Sequence, residues 1–279
     1  MRHAIRGPLP LLLAAAVLGA GCQGGQPGGE NPVRPLPPVI EPVPDQPQPA
    51  DEGQPGRWEK LDGVQPAARA FVVAPEGRSG PLPGVVLVPS QWGVNPDVRE
   101  LARRLAGDGL VVVVPDMYDG VIATSRLSAR ELTAGVAAAR AGELLAGAVA
   151  HLRRHPLVGE RPVGAVGLGP GGRWLASWAA PDARLGAIAF DSTALDGDQW
   201  ARVAALRAPA LLLVGKENSA LDAARREEYR RAAGGALEVS EIEGAGNDLL
   251  DPRVQGFQEA ARDRAVLVLR DFLLRNLAE

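Results

Sequence analysis

Gly167-Leu168-Gly169-Pro170-Gly171-Gly172 has the spacing of a tight turn between a buried strand and a helix. Such a turn supports chemistry in two ways. A Ser, Cys or Thr at its apex can attack a carbonyl, while the backbone N–H of the next residue stabilises the oxyanion. Alternatively, the glycines of a G-x-G-x-x-G turn let a pyrophosphate approach the helix amino terminus. The first chemistry lacks its atoms here. Gly169 at the apex has no side chain, and Pro170 has no N–H. Losing one oxyanion donor typically costs ~10²–10³ in rate. Glycine also relaxes the strained backbone that such an apex imposes. The second chemistry finds more of its pattern, because Asp191 ends the next apolar run where a ribose-binding carboxylate would stand. The mid-chain position of the unit and the short helix after it count against a dinucleotide.

The remaining candidates are polar groups without a partner base. Asn218 follows the "LLLVGKEN" run and Asn247 closes "EGAGN". An amide holds one protonation state near neutrality, so neither can act as general base. Ser90, Gln91 and Trp92 follow the apolar run Val85 to Val88. Ser90 is a nucleophile only if a base reaches it, and Glu217 or Asp248 are the acids available nearby in the pattern. The chain has three histidines. His3 lies in the leader. His151 and His155 end the helical pattern before the strand Val163 to Leu168, which places them at the opposite edge of a parallel sheet, ~17–20 Å away. Surface or helix-capping roles suit them, since His⁺ favours a helix carboxyl terminus. Trp92 and Tyr118 fall on loops and fit a ligand pocket or packing equally well, with Pro170 beside them at the turn. Trp174, Trp178 and Trp200 fall on helical patterns and read as packing residues.

The elements that must position these groups alternate between apolar runs and helical periodicity. Ala70 to Val73, Val85 to Val88, Leu110 to Val114, Val163 to Leu168, Leu185 to Phe190, Ala210 to Val214 and Leu237 to Ile242 read as strands. Between them, helices are predicted over Pro96 to Gly107, Ser128 to Arg154, Gly171 to Ala180 and Leu221 to Ala233, with a last one over Val254 to Leu277. Continuous apolar strands separated by helices imply an α/β fold with a mostly parallel sheet covered on both faces. Sites in such sheets form at the carboxyl ends of the strands. The formal charge of −3 is nearly balanced, and no basic, aromatic-interleaved stretch suggests nucleic acid. No cofactor or metal is implied.

The amino terminus carries an address. Arg2 and Arg6 precede an apolar run from Leu9 to Ala20, too short to span a bilayer. The run ends in Leu18-Gly19-Ala20-Gly21-Cys22, and Cys22 is the only cysteine. This resembles the lipobox of bacterial lipoproteins, which implies that residues 1–21 are a signal peptide and that Cys22 is lipidated. Each buried CH₂ of such an anchor contributes ~0.8 kcal/mol. An ordinary signal peptide with an incidental cysteine is the alternative. Residues 22–57 are rich in Pro, Gly and Gln and too poor in apolar side chains to offset ordering entropy, so they read as a tether. The domain is then 58–279. The expected location is the bacterial cell envelope, lipid-anchored, and Gln23 is compatible with an outer membrane.

The landmarks from Val85 onward resemble the dienelactone hydrolase family of α/β hydrolases. The "WGVNPDVRELARRLAGDGLVVVVPDMYDG" block is the most specific part, followed by the glycine elbow, "LLLVGKEN" and "EGAGN". The resemblance implies an α/β-hydrolase fold and carboxylic ester or lactone chemistry. It also implies a nucleophilic Cys where Gly169 stands, an acid at Asn218, a histidine at Asn247 and a glutamate at Ser90. Every catalytic position departs from the family's pattern. The expectation is a scaffold without catalytic residues, whose old cleft near Ser90, Gln91, Trp92, Tyr118 and Pro170 serves binding of a small molecule or protein. A divergent hydrolase with a relocated site is the first alternative, and a dinucleotide-binding domain the second.

Overall fold

Each apolar run feeds two cores at once. In β3 (Gly84–Val88), Val86 and Val88 face one apolar layer while Val85 and Leu87 face the other. β4 (Val111–Pro115) and β7 (Ala210–Gly215) divide their side chains in the same alternating way. Period-two side-chain direction makes a run of Val and Leu a strand buried on both faces. We describe the protein from a computed structural model, over residues 53–179, 184–247, 249–253 and 257–277. Cys22, the proposed leader, most of the tether and Asp248 lie outside these residues.

Eight strands form one sheet: β1 (Arg57–Leu61), β2 (Ala68–Val73), β3, β4, β5 (Val163–Leu168), β6 (Leu185–Asp191), β7 and β8 (Leu237–Ile242). Their spatial order is β1-β2-β4-β3-β5-β6-β7-β8. β2 runs antiparallel to both its neighbours, and every pairing from β4 to β8 is parallel. This is the α/β-hydrolase arrangement expected from the sequence. Helices α1 (Pro96–Gly107) and α7 (Glu259–Leu277) cover one face. α3 (Ala138–Arg154), α4 (Gly171–Trp178), α5 (Gly197–Ala205) and α6 (Ala223–Ala232) cover the other. There Trp200 packs between Phe190 and Tyr229, with ring centroids 5.7 and 4.8 Å apart. α1 starts where Asn95 accepts the N–H groups of Asp97 and Val98, with Pro96 at a position that needs no N–H.

Several expected boundaries change. The single helix predicted over Ser128 to Arg154 is two helices, α2 (Arg126–Gly135) and α3, bent by 86°. Gly135 ends α2, and Val136 and Ala137 are extended, so the helical hydrogen bonds stop and restart. The last helix begins at Glu259, and Val254, where the sequence starts it, lies outside the described residues. β1 and α5 lie outside the strands and helices that the sequence pattern predicts. β1 is a charged edge strand, RWEKL, which begins at the residue that closes the expected tether. No single helix among the described residues is long and apolar enough to cross a membrane.

Candidate functional site

The sequence-predicted residues converge on the carboxyl edge of the sheet. Ser90, Gln91 and Trp92 follow β3, and Tyr118 follows β4. Gly169 and Pro170 follow β5, Asn218 follows β7, and Asn247 follows β8. His151 and His155 are not brought to them. His151 Nε2 lies 3.2 Å from Glu59 on β1, and His155 accepts the N–H of Leu157 at the amino edge of β3.

The elbow keeps its backbone. Gly169 has φ +48°, a left-handed geometry that glycine adopts without penalty. Its N–H donates to the Asp191 carbonyl at 3.0 Å, and its carbonyl accepts from Thr193 Oγ1 at 2.9 Å. Three neighbouring glycines are needed for close packing. A Cβ on Gly167 would stand 2.4 Å from Gly172 Cα, and one on Gly171 would stand 2.3 Å from the Pro89 carbonyl oxygen. A Cβ on Gly172 would meet Thr193 Oγ1 at 2.2 Å. Pro170 sits half-exposed at the cap of α4 with no N–H to offer.

Asn218 and Tyr118 are occupied by structural hydrogen bonds. Asn218 is buried, and its side-chain oxygen accepts from Ala220 and Leu221 N–H groups at 3.0 and 2.9 Å. That is an Asx-type turn. Asn247 is exposed. Tyr118 is buried against Trp174 with its hydroxyl 3.2 Å from Thr133 Oγ1, and burial pushes its pKa up to about 12. Trp92 packs on Ala123, Ala129 and Leu132. Gln91 is half-exposed. Two cavities, of about 550 Å³ beside Trp58 and Arg69 and about 600 Å³ beside Arg173 and Gln199, lie elsewhere and are lined by none of the predicted pocket residues.

Sequence reasoning missed Asp251 and the partners that Ser90 and Asp191 find at this edge. The chain after β8 crosses over β7, where Lys216 and Glu217 N–H groups donate to the Ile242 and Ala245 carbonyls. It then reaches β6, where Leu249 and Leu250 N–H groups donate to the Asp191 carboxylate at 3.1 and 3.0 Å. Further on, Ser90 Oγ donates to Asp251 Oδ2 at 2.9 Å. Ser90, Asp191 and Asp251 are all buried. Burial pushes Asp191 up to about 6, against the opposing effect of its two N–H donors, and it raises Asp251 as well. Asp191 is therefore enclosed and already bonded, which removes the ribose-facing carboxylate that a dinucleotide would need. Ser90 has a carboxylate partner that no local pattern announced, since 161 residues separate the two.

Comparison with known proteins places this geometry. The model of the dienelactone hydrolase family matches residues 68–275. A protein of Methylorubrum extorquens named "Putative carboxymethylenebutenolidase" is 31% identical over 189 residues, 62% of this chain; the match spans 64% of that relative's length. Among solved structures, a "Putative Dienelactone Hydrolase" from Klebsiella pneumoniae superposes with a TM-score of 0.68 at 21% identity, over 79% of this chain and 99% of that one. A dienelactone hydrolase from Anabaena variabilis gives 0.62 at 18% identity, over 80% and 98%. The family-model match across residues 68–275, most of the chain's length, establishes that this chain belongs to the dienelactone hydrolase family.

Proposed function

We propose that this chain is a non-hydrolytic member of its family, a lipoprotein held at the bacterial cell envelope through Cys22 and using the carboxyl edge of its sheet to bind a small molecule or a protein. One observation carries the reading: the apex of the elbow is Gly169, followed by a proline, and the positions after β7 and β8 are Asn218 and Asn247. A glycine cannot form an acyl-enzyme, an amide cannot take a proton from a nucleophile, and Pro170 gives an oxyanion nothing to bond. The intact glycine packing beneath the elbow supports a retained scaffold.

The 2.9 Å bond from Ser90 to Asp251 favours one second reading, a divergent ester or lactone hydrolase with Ser90 as nucleophile and Asp251 as base. Its weakness is chemical. A carboxylate is a poor base for a hydroxyl even when burial raises its pKa, and Ser90 is only 3% exposed. The test is turnover of activated esters and lactones by the full chain in detergent, beside Ser90→Ala. No turnover above the buffer rate from folded protein is expected. Saturable turnover that Ser90→Ala abolishes would overturn the non-hydrolytic reading in favour of the second.

A further inference from the structure

The Trp92 indole N–H is buried and has no acceptor. An unmet donor in such a place costs stability, so it calls for a partner or for a cover that moves. The cover is thin. Trp92 is 7% exposed and belongs to neither main core. It forms a separate apolar cluster with Ala123 and Ala129, and Leu132 packs against that cluster. Ala129 and Leu132 lie on α2, and Ala123 lies on the loop that leads into it. The Trp200 N–H also lacks an acceptor, but its ring is part of a main core.

α2 is held by little. Of its ten residues only Ala129 is buried, and Leu127 is 67% exposed. Its tie to the strand ends is the contact between the Thr133 and Tyr118 hydroxyls at 3.2 Å. The capping bonds between Ser125 and Ser128 stay within its own first turn. Residues 121–124 before it are irregular, Val136 and Ala137 after it are extended, and α3 leaves at 86°. A helix with so few buried contacts and a non-helical joint at each end belongs to the low-stability part of a fold.

The groups around the indole favour a neutral occupant. Arg253 lies 5.8 Å from the ring centre and is already bonded to Asp97 and to the Ala123 carbonyl. Its charge is matched. What the ring offers beyond that is one N–H donor among the apolar side chains of Ala123, Ala129 and Leu132.

We propose that α2 covers a closed binding site, and that the site takes a neutral, mainly apolar molecule with one carbonyl-type acceptor, held against Trp92 with that acceptor on the indole N–H. α2 swings aside at Val136 and Ala137, and Thr133 parts from Tyr118. The ligand then supplies the acceptor that the closed form lacks, so binding draws the population away from that form. The inference rests on the reading above that this edge of the sheet binds a molecule, and it names the class.

The test is NMR on the full chain in lipid nanodiscs with isotope-labelled tryptophan, the Trp92 indole signal being identified by its loss in Trp92→Phe. The probes are cyclohexanone and methylenecyclohexane, which match in shape and differ in the acceptor. Cyclohexanone is expected to shift the Trp92 N–H signal saturably and to bind about fivefold more tightly than the hydrocarbon, the usual net effect of one neutral hydrogen bond. In Trp92→Phe, followed through the probe's own signals against empty nanodiscs, the two should bind alike. Thr133→Val removes the hydroxyl that faces Tyr118, and exchange of the Trp92 indole proton with water should speed up about fivefold while that of Trp200 stays unchanged. Equal affinities in the native chain, a preference that survives Trp92→Phe, or no saturable shift at all overturns the proposal. An unchanged Trp92 exchange rate in Thr133→Val also overturns it, since α2 would then not be the cover. Each of these failures leaves the argument from Gly169, Asn218 and Asn247 standing. Ester turnover abolished by Ser90→Ala would overturn that argument and leave the Trp92 site in place.

Discussion

The turn after β5 and the segment Leu249 to Arg253 after β8, a strap across the strand ends, both bond to Asp191, one to its backbone carbonyl and the other to its carboxylate. They are held by opposite means. The turn is fixed by absent side chains: Gly167, Gly171 and Gly172 allow the backbones of β5, α4 and the β3 loop to touch. The strap is fixed by side chains: its own Leu249 and Leu250 are buried in the core, and Ser90, Asp97 and Asp191 reach it from distant elements. The difference bears on which parts of such a scaffold are free to vary. Close backbone contact belongs to the core, so it is needed whether or not a nucleophile stands at the apex. Polar groups at the strand ends are free to change provided each buried one finds a partner. In this chain they pair with one another.

The comparison can be broken at its strong end by Gly167→Ala. The new methyl group would press on the backbone of α4 at 2.4 Å, with no flexible atom to yield. A loss of about 3 kcal/mol in urea unfolding is expected; a near-neutral result would show that the turn is not held by backbone contact. Asp191→Ala should come next. It leaves the Leu249 and Leu250 N–H groups without their acceptor, for a loss of about 2 kcal/mol. Protection from exchange should drop at those two amides well before β5 is affected. The smallest effect is expected from Asn218→Ala, which removes the acceptor for Ala220 and Leu221 and should cost about 1 kcal/mol. That value would put the turn after β7 in the same class as the strap, a side-chain construction, and unfolding in urea measures it.

Legibility in the sequence followed the range of the interactions. The strands were readable because two-sided burial writes a local signature, as in Val111 to Val114. The elbow was readable because its glycines are adjacent. β1 escaped notice because an edge strand with alternating charges looks like loop, and α5 because its nine residues bury only Trp200 and Val203. The break at Val136 escaped because Ala and Leu spacing continues across it. Asp251 could not be found at all, because its meaning lies in a hydroxyl 161 residues away. One sequence-level clue existed for Asp191, a carboxylate ending an otherwise apolar strand. The sequence offers it as a ribose ligand only under the dinucleotide alternative, and the fold uses it for backbone donors.

The Arg253 guanidinium near Trp92 has an optical consequence. Indole emission responds to nearby charge, and the Arg253 guanidinium lies 5.8 Å from the centre of the Trp92 ring. Trp200 is enclosed instead by the Phe190 and Tyr229 rings on the other face of the sheet. The molecule therefore carries a reporter of its carboxyl edge and an internal reference for its core, separable by replacing one indole at a time and needing no attached dye.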